Sequence, residues 1–326
     1  MEFMPDFTVL YPKTVEEAVG FFKDHPEARY LAGGTDLIVN IRRGIVAPET
    51  LIDLAQIDEM NGVDSDGNGG YRIGASVTLA DLLDNKQITK DYTAIAEAAV
   101  EIAAATHRQV ATVGGNLCLD TRCVFYNQSE WWRNANNYCL KSQGETCHVA
   151  PAGDECFAAF SGDLAPALLI FNAEVELSGP DGTRTVPLKD IYANDGRAHL
   201  LLEKGEILVA VLLPDAAGMS SGYAKARVRD SIDFPLAGSA IALKKGSGGV
   251  DDIRVALTGV KSCPVLVDGT EALVGKQLDD DGLAALTSLL PKQIKPMTST
   301  FTPPGYRRKV AANLSRSLAA RLYESV

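Results

Sequence analysis

The sequence predicts a chain of mixed α+β architecture in two or three domains, and three observations carry that prediction. The opening residues read strand, glycine loop, helix, strand. The middle of the chain mixes strands with alanine-rich helical stretches. From Ser220 onward, runs that alternate like antiparallel strands are followed by helical runs, the order of an α+β module.

Taken in order, Thr14 followed by Glu17 is a capping box and predicts a helix from about Val15 to Phe22. Ala28–Leu31 reads as a short strand, Ala32-Gly33-Gly34-Thr35-Asp36 as a loop, Leu37–Arg43 as a helix and Thr50–Leu54 as a second strand. Such a loop presents its amides at a helix start, where an anionic pyrophosphate is well placed. The Gly-x-Gly-x-x-Gly spacing of a dinucleotide fingerprint is absent, so the pair alone also reads as a plain tight turn. Asp64–Gly70 is a polar glycine-rich turn, Tyr71–Ala75 a strand, and Thr78 caps a helix over Leu79–Leu83. A longer helix over about Tyr92–Ala103 leads towards Gly114-Gly115-Asn116, a second turn suited to close backbone approach by a phosphate. Pro180-Asp181-Gly182 between Glu174–Leu177 and Arg184–Val186 is a hairpin signature, and Ile207–Leu213 is an apolar strand ending at Pro214. Ala217–Gly222 marks a boundary. Beyond it, Tyr223–Arg229, Ser239–Lys244 and Asp252–Leu257 alternate, and helices are expected near Thr270–Val274, Asp281–Leu289 and Pro304–Tyr323.

Composition bounds the partners. The 326 residues are 46% hydrophobic, enough for real cores, and Lys+Arg 31 against Asp+Glu 42 leaves a net charge of −11. That balance disfavours nucleic acid and anionic membranes, which need a basic footprint. No apolar run is long enough to span a bilayer and residues 1–25 lack the order of a signal peptide, so a soluble cytoplasmic protein is the expectation.

Four of the six cysteines, Cys123, Cys139, Cys147 and Cys156, fall in one segment, separated by fifteen, seven and eight residues. No Cys-x-x-Cys pair is present, and the spacing matches neither familiar ferredoxin run. Four thiolates complete a shell for zinc or for [4Fe–4S], and spacing does not choose between them or exclude unrelated buried thiols. His148 beside Cys147 is a weaker ligand candidate, and His107 before the second glycine turn a weaker cofactor contact. Cys118 and Cys263 read as small buried residues, and His25 and His199 as surface ones. Trp131, Trp132, Phe125, Tyr126 and Tyr138 read as a satellite core, and Arg307-Arg308-Lys309 as a solvated or subunit-facing surface. No Ser-His-Asp set or paired carboxylates can be argued, so no catalytic residue is assigned.

Leu31–Leu37, Thr112–Asn116 and Ser161-Gly162-Asp163, with Gly259–Pro264, Glu271-Ala272-Leu273 and Tyr306-Arg307-Arg308, resemble in that order the FAD-binding subunit of the xanthine dehydrogenase family of molybdenum enzymes. The resemblance covers essentially the whole chain. It implies the FAD-binding fold shared with vanillyl-alcohol oxidase: two α/β subdomains, 1–55 and 56–218, holding FAD between them, then a C-terminal α+β domain over 219–326. Residue by residue it implies that Leu31, Ala32, Gly33, Gly34, Thr35, Asp36 and Leu37 wrap the FAD pyrophosphate. Thr112, Val113, Gly114, Gly115 and Asn116 would form a second wall, Asp163 would bind the ribityl or ribose side, and Leu208 and Lys225 match later flavin contacts.

The departure from the ordinary family pattern is an insertion of about forty residues, 120–159, that carries the four cysteines. It is similar to the β subunits of the 4-hydroxybenzoyl-CoA reductase branch, in which such an insertion holds an extra [4Fe–4S] cluster. That resemblance implies ligation by Cys123, Cys139, Cys147 and Cys156. It also implies a molybdopterin-binding partner subunit, a second partner with two [2Fe–2S] clusters, an (αβγ)2 heterohexamer, and reduced ferredoxin as donor for reductive dehydroxylation to benzoyl-CoA. Two other readings compete: the FAD subunit of an ordinary hydroxylase with a structural zinc held by the four cysteines, and a binding module without redox function.

Overall fold

In the computed structural model the described residues are 4–216 and 218–325, so the Ala217 end of the expected boundary lies outside them. Strands β1 (Thr8–Leu10), β2 (Arg29–Leu31) and β3 (Thr50–Asp53) form a small parallel sheet in the order β1-β3-β2. The helix Val15–Asp24 joins its first two strands. Thr14 Oγ1 accepts from Glu17 N at 3.1 Å, and the Glu17 carboxylate accepts from Lys13 N at 2.7 Å, one residue outside the expected box. The first glycine loop therefore leaves the carboxyl end of a parallel strand, where open α/β sheets bind their ligands.

The middle of the chain builds a five-stranded antiparallel sheet, β4-β5-β8-β6-β7, from β4 (Val63–Ser65), β5 (Tyr71–Gly74), β6 (Glu174–Gly179), β7 (Gly182–Pro187) and β8 (Ile207–Leu213). The Ile-Leu-Val-Ala-Val-Leu-Leu run of β8 is central and buried almost throughout, as a strand covered on both faces must be. Helices Thr93–Glu101 and Leu164–Leu169 pack together in the same core, around Tyr92, Phe160 and Phe171. The last sheet is antiparallel, β12-β11-β10-β9, from β9 (Ser220–Ala226), β10 (Ala237–Gly246), β11 (Gly249–Thr258) and β12 (Val265–Leu266). Helix Pro304–Glu324 lies against β9 and β10 and closes a second core. The fold is thus the expected mixed α+β arrangement with a C-terminal α+β unit.

Several expectations need correction. The helix over Tyr92–Ala103 is shorter, Thr93–Glu101, because Ile102 turns extended with a ψ of 122° and ends it before Ala103, whose φ is left-handed at 49°. Thr270–Leu273 is a 3-10 turn rather than an α-helix. Arg307 is not a surface residue: it is fully buried and donates to Leu236 O at 3.0 Å, Met297 O at 3.1 Å and Gly259 O. Three carbonyls thus offset the desolvation of its guanidinium. His199 is also buried, with its Nε2 2.9 Å from Leu119 O and its ring beside Phe160. Trp131 is 79% exposed and takes no part in a satellite core; Trp132, Phe125 and His148 make that contact. Among the described residues, no helix is long and apolar enough to cross a membrane.

Candidate functional site

The first turn is Ala32–Asp36. Gly34 has a φ of 70°, a conformation that costs a side chain but not glycine. The backbone N–H groups of Gly33, Gly34, Thr35 and Asp36 donate to no acceptor among the described residues. A row of free donors on a glycine turn is a seat for an anion. Asp36 opens the helix Leu37–Arg42 without capping it; its carboxylate instead accepts from Asn40 Nδ2 at 3.0 Å and pairs with Arg122.

The second turn works differently. Thr112–Asn116 winds into a short helix, Val113–Leu117, in which Thr112 Oγ1 accepts from Gly115 N at 3.0 Å. Gly114 N donates to Ala75 O at 2.8 Å, and Ala75 N to Val209 O at 2.9 Å, so this turn hangs from β8. Its amides are used, and what it offers is lack of bulk. A Cβ on Gly114 would lie 2.7 Å from Ala75 Cβ. The two turns touch: a Cβ on Gly33 would lie 1.7 Å from Val110 O, and one on Gly115 would lie 3.7 Å from Ala32 Cβ. Leu208 is buried in β8, whose strand packs beneath the second turn.

From there the site continues through Asn116, whose Oδ1 accepts from Leu164 N at 3.1 Å and anchors the Ser161-Gly162-Asp163 element. The Asp163 carboxylate is buried and accepts from Lys225 Nζ at 2.9 Å and Tyr223 Oη at 2.5 Å. Lys225 also donates to Glu101 O at 3.0 Å. Burial raises the Asp163 pKa above its ordinary value, opposed by the Lys225 charge and the Tyr223 hydrogen bond. The structure therefore gathers the two turns and Asp163 with Lys225 into one continuous arc. Tyr223 was not picked out from the sequence; its signal was the two-residue spacing from Lys225, which puts both on one face of β9.

The insertion is pinched at its base, where Arg122 N donates to Ala159 O and Ala159 N to Arg122 O, both at 2.8 Å. It is not wholly a loop, since Ser129 caps a helix over Glu130–Ala135. Cys123, Cys139, Cys147 and Cys156 are all buried and none is in a disulfide. Cys123, Cys139 and Cys156 pack with Ile45, Tyr126 and Ala158. Burial pushes the Cys123 thiol up to about 11, with Cys139 and Cys147 close enough to add to the shift. Cys156 rises to about 12 for the same reason, with Cys147 and Cys123 adding. Cys123 thus has each of the other three nearby. Among the described residues, no three His, Cys, Asp or Glu side chains converge into the shell of a single metal ion. His148 turns away, its Nε2 2.6 Å from Tyr138 O. Cys118 and Cys263 are half-buried and lie near Tyr192 rather than in this group.

Three basic residues that sequence reasoning passed over hold the insertion down. Lys141 Nζ, almost fully buried, donates to Asp120 Oδ1 at 2.6 Å and Gly196 O at 2.8 Å. Arg133 reaches Gly44 O, and Arg122 lies 4.7 Å from the centre of the Phe234 ring. The Nε of Arg122 and the Nδ1 of His107 are shielded from solvent with no partner among the described residues. A cavity of about 440 Å³ lined by Phe171, Asp215, Lys244 and Arg254 is bordered by none of these site residues.

Comparison with known proteins places the chain in a family. Residues 5–216 match the FAD binding domain in molybdopterin dehydrogenase, and residues 221–322 match the CO dehydrogenase flavoprotein C-terminal domain. The chain is 32% identical to the aldehyde oxidoreductase FAD-binding subunit PaoB of Escherichia coli (strain K12), over 97% of this chain and 99% of that one. It is 28% identical to the carbon monoxide dehydrogenase medium chain of Afipia carboxidovorans, over 95% and 94% of the two chains. A solved Cu,Mo-CO dehydrogenase chain superposes with a TM-score of 0.81 at 25% identity, covering 99% of this chain and 100% of that one. With both of its parts matched end to end, the chain belongs to the family of FAD-binding subunits of molybdopterin dehydrogenases.

Proposed function

We propose that the chain is an electron-transfer subunit that holds FAD on its two glycine turns and one [4Fe–4S] cluster in its cysteine insertion, and that substrate chemistry belongs to a partner. The observation that carries the flavin assignment is the row of free N–H groups on Gly33–Asp36, in contact with a second turn stripped of bulk. In this reading Leu31–Leu37 seat the pyrophosphate and Thr112–Asn116 exclude water from its other side. Asp163 and Lys225 bind the ribityl or ribose part, and Leu208 supports the wall from below. FAD, when bound, exchanges electrons between one- and two-electron partners. The division into 1–55, 56–218 and 219–326 belongs to the same reading and is supported by the three separate sheets.

The preference for a cluster over zinc rests on the flavin reading: four thiolates suit either metal, and a redox cluster beside FAD has a use that zinc does not. The four cysteines are buried, which would shield a bound cluster from solvent and tune its potential. Anaerobically prepared protein should contain flavin, iron and sulfide together. Replacing Cys123, Cys139, Cys147 or Cys156 with Ala should lose or convert the cluster while FAD stays, and Cys118→Ala and Cys263→Ala should leave it intact. Tightly bound zinc without iron or sulfide would overturn the cluster.

The assembly proposed is (αβγ)2, with a molybdopterin-binding subunit and a [2Fe–2S] subunit as partners. Two parent reactions follow from different observations. The insertion favours reductive dehydroxylation of 4-hydroxybenzoyl-CoA with ferredoxin as donor. The 32% identity to PaoB along 97% of the chain favours oxidation of an aldehyde, with electrons leaving through the flavin. Assaying the purified complex with 4-hydroxybenzoyl-CoA and a low-potential reductant, and separately with an aldehyde and an acceptor, separates them.

A further inference from the structure

Arg122 stands where three parts of the chain meet. Its backbone closes the neck of the insertion on Ala159, and the next residue is Cys123. Its guanidinium crosses out of the insertion, pairs with Asp36 in the first glycine turn and lies over the ring of Phe234. Its shielded Nε has no acceptor among the described residues.

Asp36 poses an electrostatic problem. It sits in the turn whose free N–H groups suit an anion, so its carboxylate repels the very group those amides attract. Its other oxygen takes only the neutral Asn40 amide. Arg122 is the charged group that meets it. The same segment is tied to the insertion twice more, by Arg43 Nη2 donating to Asn127 O at 3.1 Å and by Arg133 to Gly44 O. These contacts join the helix that follows the turn to the segment bearing Cys123 and to the helix beyond it.

We propose that Arg122 is a flavin-positioning residue, neutralising Asp36 beside the pyrophosphate seat and making flavin retention depend on an ordered cysteine insertion. The proposal rests on the flavin reading of the Gly33–Asp36 turn. Because coupling between sites is reciprocal, bound FAD should in turn protect the neck around 122–159 from hydrogen exchange.

The test uses the full chain, stripped of flavin and titrated with FAD by flavin fluorescence, with iron content and melting temperature measured in parallel. Arg122→Gln should weaken FAD binding by about tenfold, because the partly exposed Asp36 carboxylate is then left uncompensated beside the pyrophosphate seat. Arg122→Lys should recover most of the loss, and so should Asp36→Asn placed in the Arg122→Gln background, an outcome that a purely structural arginine does not produce. Asp36→Asn alone keeps the backbone N–H of the seat and the backbone closure of the neck on Ala159 and removes only the repelling charge, so FAD should bind at least as well as to the unaltered chain. This variant keeps the proposal testable if Arg122→Gln does not fold. Unchanged affinity in Arg122→Gln, no relief by Asp36→Asn, or weaker binding in Asp36→Asn alone overturns the role of Arg122 and leaves the flavin reading standing. An unaltered chain that takes up no FAD overturns both.

Discussion

Lys225→Met isolates the charge pair beneath the proposed flavin site. The Lys225 and Asp163 side chains are 1% and 5% exposed and meet at 2.9 Å, so solvent cannot replace the lost cation. Removing one member of a buried pair costs roughly 3–5 kcal/mol, because the other is left charged and unpaired. Protonation limits that cost. Keeping a carboxyl of ordinary pKa 3.8 in its acid form at pH 7 costs about 4.4 kcal/mol, and at pH 5 about 1.6 kcal/mol. The sign follows from linkage. Removing Lys225 raises the folded-state pKa of Asp163 further, so the stability of the variant is best below pH 3.8 and falls as pH rises towards that raised value. The deficit against the unaltered chain should therefore grow between pH 5 and pH 7. Urea unfolding followed by circular dichroism at the two pH values measures it. Asp163→Asn added to Lys225→Met should recover much of the loss, since Tyr223 Oη can still donate to the amide oxygen. A deficit below about 1 kcal/mol at pH 7, or one equal at both pH values, would refute the pairing argument.

Gly33→Ala and Gly115→Ala should part company. The first drives a Cβ to 1.7 Å from Val110 O and should lower the melting temperature of flavin-free protein, while the second meets Thr112 Oγ1 at 3.0 Å and Ala32 Cβ at an ordinary 3.7 Å and should keep it but lose FAD. Equal melting temperatures in the two variants would contradict the contact between the turns. Burial brings His199 down to about 4 from 6.5, so its contribution is present above pH 6.5 and is lost as pH falls through the folded value. His199→Gln should flatten the stability profile over that window by about 3 kcal/mol, and an unchanged slope counts against it. Arg307→Met leaves the carbonyls of Leu236, Met297 and Gly259 without their donor and should destabilise the C-terminal unit by roughly 3 kcal/mol, read by thermal unfolding.

Local elements were legible where neighbours in sequence are neighbours in space. The helix caps at Thr14 and Thr78, the hairpin at Pro180-Asp181-Gly182 and the β8 run all depend on contacts within a few residues. The glycine turns were legible as turns for the same reason, and the concentration of four cysteines in one insertion was plain from counting. In the Arg307-Arg308-Lys309 run, Arg308 and Lys309 are exposed as expected and only Arg307 was misread, because charge by itself argues for solvent. The carbonyls that accept from Arg307 lie 71, 10 and 48 residues away, and nothing local to the run announces them. His199 was misread likewise, its carbonyl partner lying 80 residues upstream.

By itself, then, the sequence determined which short segments turn, cap and pair, and which side chains could serve flavin or metal. Only the tertiary structure decided that Gly33 packs on Val110, that Asp163 shares Lys225 and Tyr223, that Cys123, Cys139 and Cys156, up to 33 residues apart, share one small buried core, and that Arg122 leaves its own insertion to meet Asp36. The reason is physical. Turns and caps are decided by sterics and hydrogen bonds within a few residues, but burial and charge pairing depend on which distant strands the packed cores bring together.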